Sequence, residues 1–254
     1  MLDDMTYKPE ISKRALVLLS VGLSFMLFAT VRPAAGEPSS YILAVTWHSA
    51  FCETQAGAPE CANHQEGDFS ADHFVLHGLW PQPYGNFYCG VDDATKRTDL
   101  ADGWADLPPL EISAALSDRL AVAMPGTASH LDRHEWVKHG TCHETPDQTV
   151  YYEQSLRLLD ELNRSAVREL FASNVGERVR LRQIRAAFDN SFGAGAGERV
   201  ALECETVGGR QLIVELRISL TSPVGDRPLR VLMDRASMRN SACDSGIVDA
   251  PGPG

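Results

Sequence analysis

The sequence predicts an α+β fold: a single domain with a central antiparallel β-sheet flanked by helices. Two observations carry this reading. Segments with apolar residues at helical spacing gather between residues 110 and 192, whereas β-branched, alternating segments lie near the two ends, at 41–47 and 199–220. Apolar residues make up 44% of the 254 and charged residues 22%, which suffices for one filled core and is too apolar for a disordered chain.

Ahead of the domain, Lys13 and Arg14 precede an apolar run at 15–31, and Arg32-Pro33-Ala34-Ala35-Gly36 closes it with small residues. This is the layout of a secretory signal peptide cleaved after Gly36, leaving 37–254 as the domain. Asp3 and Asp4 dilute the basic start and suggest initiation at Met5. The run is short for a bilayer span, and no later segment is apolar enough for one. The expected protein is therefore periplasmic or secreted, free of the membrane once the leader is removed, and monomeric.

The elements follow in order. Residues 41–47 (YILAVTW) read as a strand and 74–76 (FVL) as a short one, with turn residues Gly57, Pro59 and Gly67 between them. Residues 81–109, rich in Pro, Gly and Asp, read as a long loop. Helical spacing covers 110–124, ended by Pro125-Gly126, then 131–139, ended by Gly140, then 150–162 and 181–192. A flexible glycine segment follows at 193–197. Residues 199–205 and 211–220 alternate and form a hairpin about Gly208-Gly209; 229–233 offers one more strand. The Gly/Pro tail from 248 to 254 is expected to be disordered.

All six cysteines (Cys52, Cys61, Cys89, Cys142, Cys204, Cys243) follow the leader, and an even number in an exported chain argues for three disulfides. Counting alone leaves every pairing open. Cys52 and Cys61 flank a Gly-Ala-Pro turn, and Cys204 and Cys243 bracket the C-terminal strands, which leaves Cys89 with Cys142. No pair has the Cys-x-x-Cys spacing of a metal site.

The eight histidines all lie between residues 48 and 143, and five of them sit in or beside His77-Gly78-Leu79-Trp80-Pro81 and His134-Glu135-Trp136-Val137-Lys138-His139-Gly140. Imidazole is the side chain that both takes and gives a proton near neutral pH, so two on separate segments form an acid–base candidate. On a helix, Glu135, Lys138 and His139 share a face and His134 flanks it, bringing together a carboxylate, an ammonium and imidazoles. Such a run is commonly just a solvated face. Against that, lysine occurs only at Lys96 and Lys138 beyond the leader, beside 17 arginines, which hints at a point-charge requirement here. A zinc-hydrolase pattern would need His-Glu-x-x-His; His134 and His139 are one residue too far apart and diverge by about 140° around the axis. Trp80 can fill the core or stack on a nucleobase, a contact worth ~1–3 kcal/mol.

The blocks Phe74-Val75-Leu76-His77-Gly78-Leu79-Trp80-Pro81 and His134-Glu135-Trp136-Val137-Lys138-His139-Gly140-Thr141-Cys142 resemble, in order and separation, the two active-site blocks of the ribonuclease T2 family. Trp47 followed by Cys52 is similar to the family's first strand and first cysteine. The resemblance implies an α+β endoribonuclease without metal or cofactor, cleaving single-stranded RNA through a 2′,3′-cyclic phosphate with broad base preference. It implies that His77 and His139 are the acid–base pair, with His139 the usual base. Glu135 and Lys138 would stabilise the transition state and His134 would bind phosphate. Trp80 and Tyr88 would hold a base; Gln82 stands where relatives often carry an acid. Cys89–Cys142 matches the bridge that joins the blocks.

A net charge of −11 argues against holding a polyanion by global attraction, so RNA would be a transient substrate in a local pocket. DNA lacks the 2′-hydroxyl nucleophile and is not expected to be cut. Two imidazoles in opposite charge states call for a bell-shaped pH profile, and the acidic composition for an optimum below neutrality. A non-catalytic binding or inhibitory protein on the same scaffold is the competing reading.

Overall fold

The computed structural model describes residues 40–252; the leader expected at 1–36 lies outside them. Strand β1 (Tyr41–Thr46) has all six residues buried, as a β-branched run between two neighbouring strands should. Helix α1 (His48–Thr54) and the short α2 (Phe69–Asp72) lead into β2 (Val75–Pro81), which is longer than expected because it continues through His77 to Pro81. The stretch expected as a long loop contains α3 (Asp93–Leu100). That helix has no apolar stripe to announce it; it is started by Asp92, whose carboxylate accepts from the backbone of Ala94 and Thr95 at 2.9 and 3.0 Å.

Helix α4 (Ala114–Ala123) begins later than its apolar pattern suggests, because Ser113 supplies the cap and the segment before it stays extended. Helix α5 (Leu131–Lys138) follows the expected span. Helix α6 (Gln148–Asn163) is capped by Asp147 and buries Tyr151, Tyr152, Leu158, Leu159 and Leu162. Next come α7 (Ala166–Ala172), β3 (Arg178–Arg180) and α8 (Leu181–Phe192). The glycine segment after α8 is tied back to it, Gly197 N donating to Asp189 Oδ1 at 2.8 Å. Strands β4 (Val200–Val207) and β5 (Arg210–Leu220) form the expected hairpin, with Gly208 and Gly209 both at positive φ as a tight two-residue connection requires.

Residues 229–233 form helix α9 (Leu229–Met233) rather than a strand. Four apolar residues in a five-residue segment fit either state; here Pro228 precedes the first turn, and Glu161 of α6 accepts from the backbone N–H of Leu229 at 2.8 Å. Strand β6 (Ser245–Ile247) ends the set. The sheet runs β2-β1-β5-β6-β3, with β4 on the other side of β5. It is mixed rather than wholly antiparallel, since β6 lies parallel to β5 at Leu212–Ile247. The tail is not loose at its start: Val248 and Asp249 are buried, and the Trp47 indole N–H donates to the Asp249 carbonyl at 2.8 Å.

One sheet face is dry. Tyr41, Leu43, Val45, Leu76, Leu79, Leu202, Leu216 and Ile218 join the helices in one core. Trp47, Phe74 and Phe171 pack together with ring centroids 4.7–5.5 Å apart. Asn163, which begins a glycosylation-type Asn-x-Ser triplet, instead bonds both backbone groups of Phe74. Disulfides join Cys52 to Cys61, Cys89 to Cys142 and Cys204 to Cys243, the pairs expected. Among the described residues no helix is long and apolar enough to cross a membrane.

Phe171→Ala removes a fully buried ring from that aromatic cluster. It should cost about 3–5 kcal/mol of unfolding free energy, read by urea denaturation. A loss below about 1 kcal/mol would mean that the site collapses freely and the cluster is not tightly packed.

Candidate active site

The opposite sheet face carries polar groups, and a bulge creates it. Ala44 pairs with Gly78 but Val45 with Leu76, so His77 is an extra residue on β2. Leu76 and Leu79 keep to the core, and His77 and Gly78 both turn to the other face. There Trp80 follows on β2, while β5 presents Glu215 opposite Thr46 and Arg217 opposite Ala44. Because β2 is an edge strand, α6 and α5 cover it: Leu79 N donates to the Tyr151 hydroxyl, and Glu135 of α5 arrives over Gly78.

Gly78 is required by that approach. A Cβ at this position would stand 1.9 Å from Glu135 Oε2 and 2.6 Å from Trp80 Nε1. In its absence, the Trp80 indole donates to Glu135 Oε2 at 2.8 Å, and Glu135 Oε1 lies 3.7 Å from His77 Nε2. Glu135 is only 1% exposed. Burial pushes its carboxyl up to about 7, against the opposing pull of His77, the Trp80 hydrogen bond and Lys138.

The two imidazoles flank one indole. The His77 ring meets Trp80 edge-on at 5.0 Å, and the His139 ring stacks on it at 5.5 Å. Their environments are opposite. His77 is about one-third exposed, and its Nδ1 lies 2.5 Å from Glu215 Oε2. Burial works to lower its pKa, but the hydrogen bond and charge of Glu215, together with Glu135, raise it above the ordinary imidazole value. His139 is buried beside Lys138, and its Nδ1 has no hydrogen-bond partner among the described residues. Burial first, then Lys138, His134 and His77, hold it down at about 2.

His134 is fixed from α3. Its Nδ1 bonds Asp99 Oδ1 at 2.7 Å, its ring stacks on Trp104 at 4.4 Å, and burial lowers its pKa despite Asp99. Asp99 is 2% exposed and also accepts from the Tyr88 hydroxyl at 2.8 Å. Lys138 lies over the Phe87 ring, and the Tyr88 N–H donates to the Lys138 carbonyl, beside the Cys89–Cys142 bridge. Bridge and hydrogen bond fasten the loop after β2 to the end of α5.

The structure therefore brings His77, Trp80, His134, Glu135, Lys138 and His139 together. Tyr88 lies at the border with its hydroxyl committed to Asp99 and Lys96 over its ring at 5.2 Å. The Gln82 amide turns back to the carbonyls of Trp80 and Pro81 at 3.3 Å. Beside His77 opens a cavity of about 250 Å³ lined by Thr46, His48, Glu60, Trp104, Leu131 and Val214 among others.

The model of the Ribonuclease T2 family matches residues 39–229. The chain belongs to the ribonuclease T2 family. Ribonuclease I of Escherichia coli is 30% identical over 215 residues, covering 76% of this chain and 79% of that protein. Extracellular ribonuclease LE of Solanum lycopersicum is 28% identical over 188 residues, 72% of this chain and 77% of that one. Among solved structures, a ribonuclease MC1 variant in complex with 5′-UMP superposes with a TM-score of 0.54 at 20% identity, covering 82% of this chain and 97% of that one.

Within this T2 member, several site residues escaped sequence reasoning. Glu215 and Arg217 come from β5, 138 residues beyond His77 for the first, and Asp99 from a helix without an apolar stripe. A signal existed for the β5 pair: two charged residues at alternating positions among the apolar residues of 212–218 mark a polar face that something must use.

Gly78→Ala should break the Trp80–Glu135 hydrogen bond by overpacking and cost about 1–3 kcal/mol. Chemical denaturation monitored by tryptophan fluorescence checks this; wild-type stability would mean that Glu135 does not lie against Gly78.

Proposed function

We propose that this ribonuclease cleaves single-stranded RNA by metal-independent transphosphorylation, giving 2′,3′-cyclic phosphate and then 3′-phosphate ends with broad base preference. The observation that carries the reading is the pair of imidazoles in opposite environments, both packed against Trp80. His139, kept neutral, takes the proton of the ribose 2′-hydroxyl. The oxygen attacks phosphorus, and His77, kept cationic, protonates the leaving 5′-oxygen. Groups whose surroundings drive their pKa values apart are suited to base and acid respectively. The water that opens the cyclic ester reverses both roles.

Lys138 forms no ion pair among the described residues, so its ammonium is free to meet the phosphoryl oxygens as charge develops. Near neutral pH Glu135 is partly protonated, and Oε1, not held by Trp80, can donate to the same oxygens. His134, oriented by Asp99, contributes its other ring nitrogen to phosphate binding. Trp80 supports one base, with Tyr88 and Gln82 at its border, and the cavity beside His77 has room for a neighbouring one. DNA survives because it offers no attacking hydroxyl. Three disulfides support a periplasmic or secreted location, and we take the protein to act as a monomer.

His77→Ala and His139→Ala should each lower cleavage of single-stranded RNA by roughly 10²–10⁴-fold while circular dichroism stays native. Cleavage should persist in EDTA, spare DNA of the same sequence and leave cyclic phosphate visible by ³¹P NMR. Loss of activity on chelation, or products lacking the cyclic ester, would sink the mechanism.

The pH dependence follows from the two shifts. The reactive form needs His139 neutral and His77 protonated, so the rate rises as pH climbs through the His139 value and falls as it climbs through the His77 value. With His139 at about 2 and His77 above its ordinary value, the kcat/KM profile should be broad through mildly acidic pH and decline only on the alkaline side. A profile centred above pH 8 would mean that His139 is not held down as described.

A further inference from the structure

We propose that Glu215 is a positioning residue for the reaction, holding the His77 imidazole by Nδ1 so that Nε2 faces the scissile phosphodiester, with Arg217 fixing the carboxylate in turn. This rests on the ribonuclease reading above and adds a group that neither histidine block contains.

The geometry is specific. His77 and Glu215 lie on strands β2 and β5, which do not touch each other; β1 runs between them, and Thr46 on β1 pairs with both Val75 and Glu215. Only the bulge at His77 lets an imidazole reach across to a carboxylate there. Both oxygens of Glu215 are committed: Oε2 to His77 Nδ1 at 2.5 Å, Oε1 to Arg217 Nε at 2.6 Å. Arg217 is anchored by Glu203 of β4 at 3.0 Å and lies over the Trp80 ring at 5.5 Å. Four strands thus contribute to fixing one imidazole.

An accepting carboxylate at Nδ1 selects the ring form with its proton there and leaves Nε2 to work as acid, the orientation a third group supplies in nucleophile–base–orienter arrangements. The charged groups that face His77 are Glu215 and Arg217 from β5, Glu135 and His134 from α5 and His139 just beyond it, with His48 and Glu60 lining the adjoining cavity. Of these, only Glu215 is in hydrogen-bond contact with the ring. Arg217, which opposes the imidazolium, is engaged by two carboxylates. Glu215 is itself shifted down, since His77 and Arg217 outweigh its burial.

The test uses the intact protein and two substitutions. Glu215→Gln keeps an oxygen that accepts from Nδ1 but removes the charge. The alkaline limb of kcat should move to lower pH by roughly one to two units, so kcat at the alkaline end falls roughly ten- to a hundredfold while KM for a dinucleotide stays within about twofold. The His77 imidazole, followed by NMR, should titrate lower by the same amount. Glu215→Asp keeps the charge on a shorter arm. Its alkaline limb should stay near wild type while kcat drops, and it decides the question should the Gln variant fail to fold. A merely structural ion pair would lower stability without moving the limb.

Wild-type cleavage of RNA combined with an unmoved limb and titration in Glu215→Gln, or with unchanged kcat in Glu215→Asp, overturns the role of Glu215 and leaves the ribonuclease reading standing. A wild-type protein inert toward RNA overturns that reading first, and the role with it; the wild-type control tells the two failures apart.

Discussion

One extra residue in β2 makes a chemical face out of a structural sheet. Strand alternation allows only every second residue to face away from the core. At the bulge, Leu76 and Leu79 both stay in the dry core while His77 and Gly78 emerge side by side on the far face. One of the two supplies an imidazole; the other supplies empty space for Glu135. Restoring regular pairing would drive either His77 or Leu79 to the wrong side, so the core and the site constrain the same short segment. The apolar residues that hold β1 and β2 together are thereby the residues that aim the histidine.

From this arrangement follows the division between the imidazoles. His77 sits above a strand that presents a carboxylate and sees a second one from α5; His139 sits at a helix end beside an ammonium, with its inner nitrogen unpartnered among the described residues. Neither histidine is set apart by its own sequence position. The contrast comes from what surrounds each: the sheet and α5 each bring a carboxylate to His77, and α5 brings a cation to His139. Trp80 packs against both rings and is itself held by the carboxylate that faces His77. A third fixed layer, Asp99 with Tyr88 and Trp104, prevents His134 from swinging into the same space.

What could be read in the sequence depended on how local each feature is. Helices α5, α6 and α8 and the β4–β5 hairpin announce themselves through apolar period and turn residues, and the two histidine blocks are contiguous. Helix α3 was missed because its residues are mostly polar and its start rests on one capping aspartate. Helix α9 reads as a strand because a five-residue, mostly apolar segment carries no period and its cap comes from Glu161, 68 positions earlier in the chain. The bulge is invisible until β1 and β2 are paired. Glu215 and Asp99 each act over tens of residues of separation, through strand register and helix packing, which composition and spacing do not encode. The nearby geometry of the site was therefore legible, and the groups that tune it were not.

The acidity of the chain bears on how such a site can turn over. At a net charge of −11 the molecule repels RNA at long range, so binding has to come from a few short contacts. Most cations near the site are already engaged: Arg217 by Glu215 and Glu203, Lys96 by the face of Tyr88. Lys138, over the face of Phe87, likewise has no carboxylate partner among the described residues, and it lies next to His139, the imidazole proposed as the base. Concentrating the attraction at the scissile phosphate, where negative charge grows in the transition state, favours the reacting geometry over the ground state. An acidic ribonuclease is on this view no contradiction: the same repulsion that weakens binding along the strand keeps the affinity where it lowers the barrier.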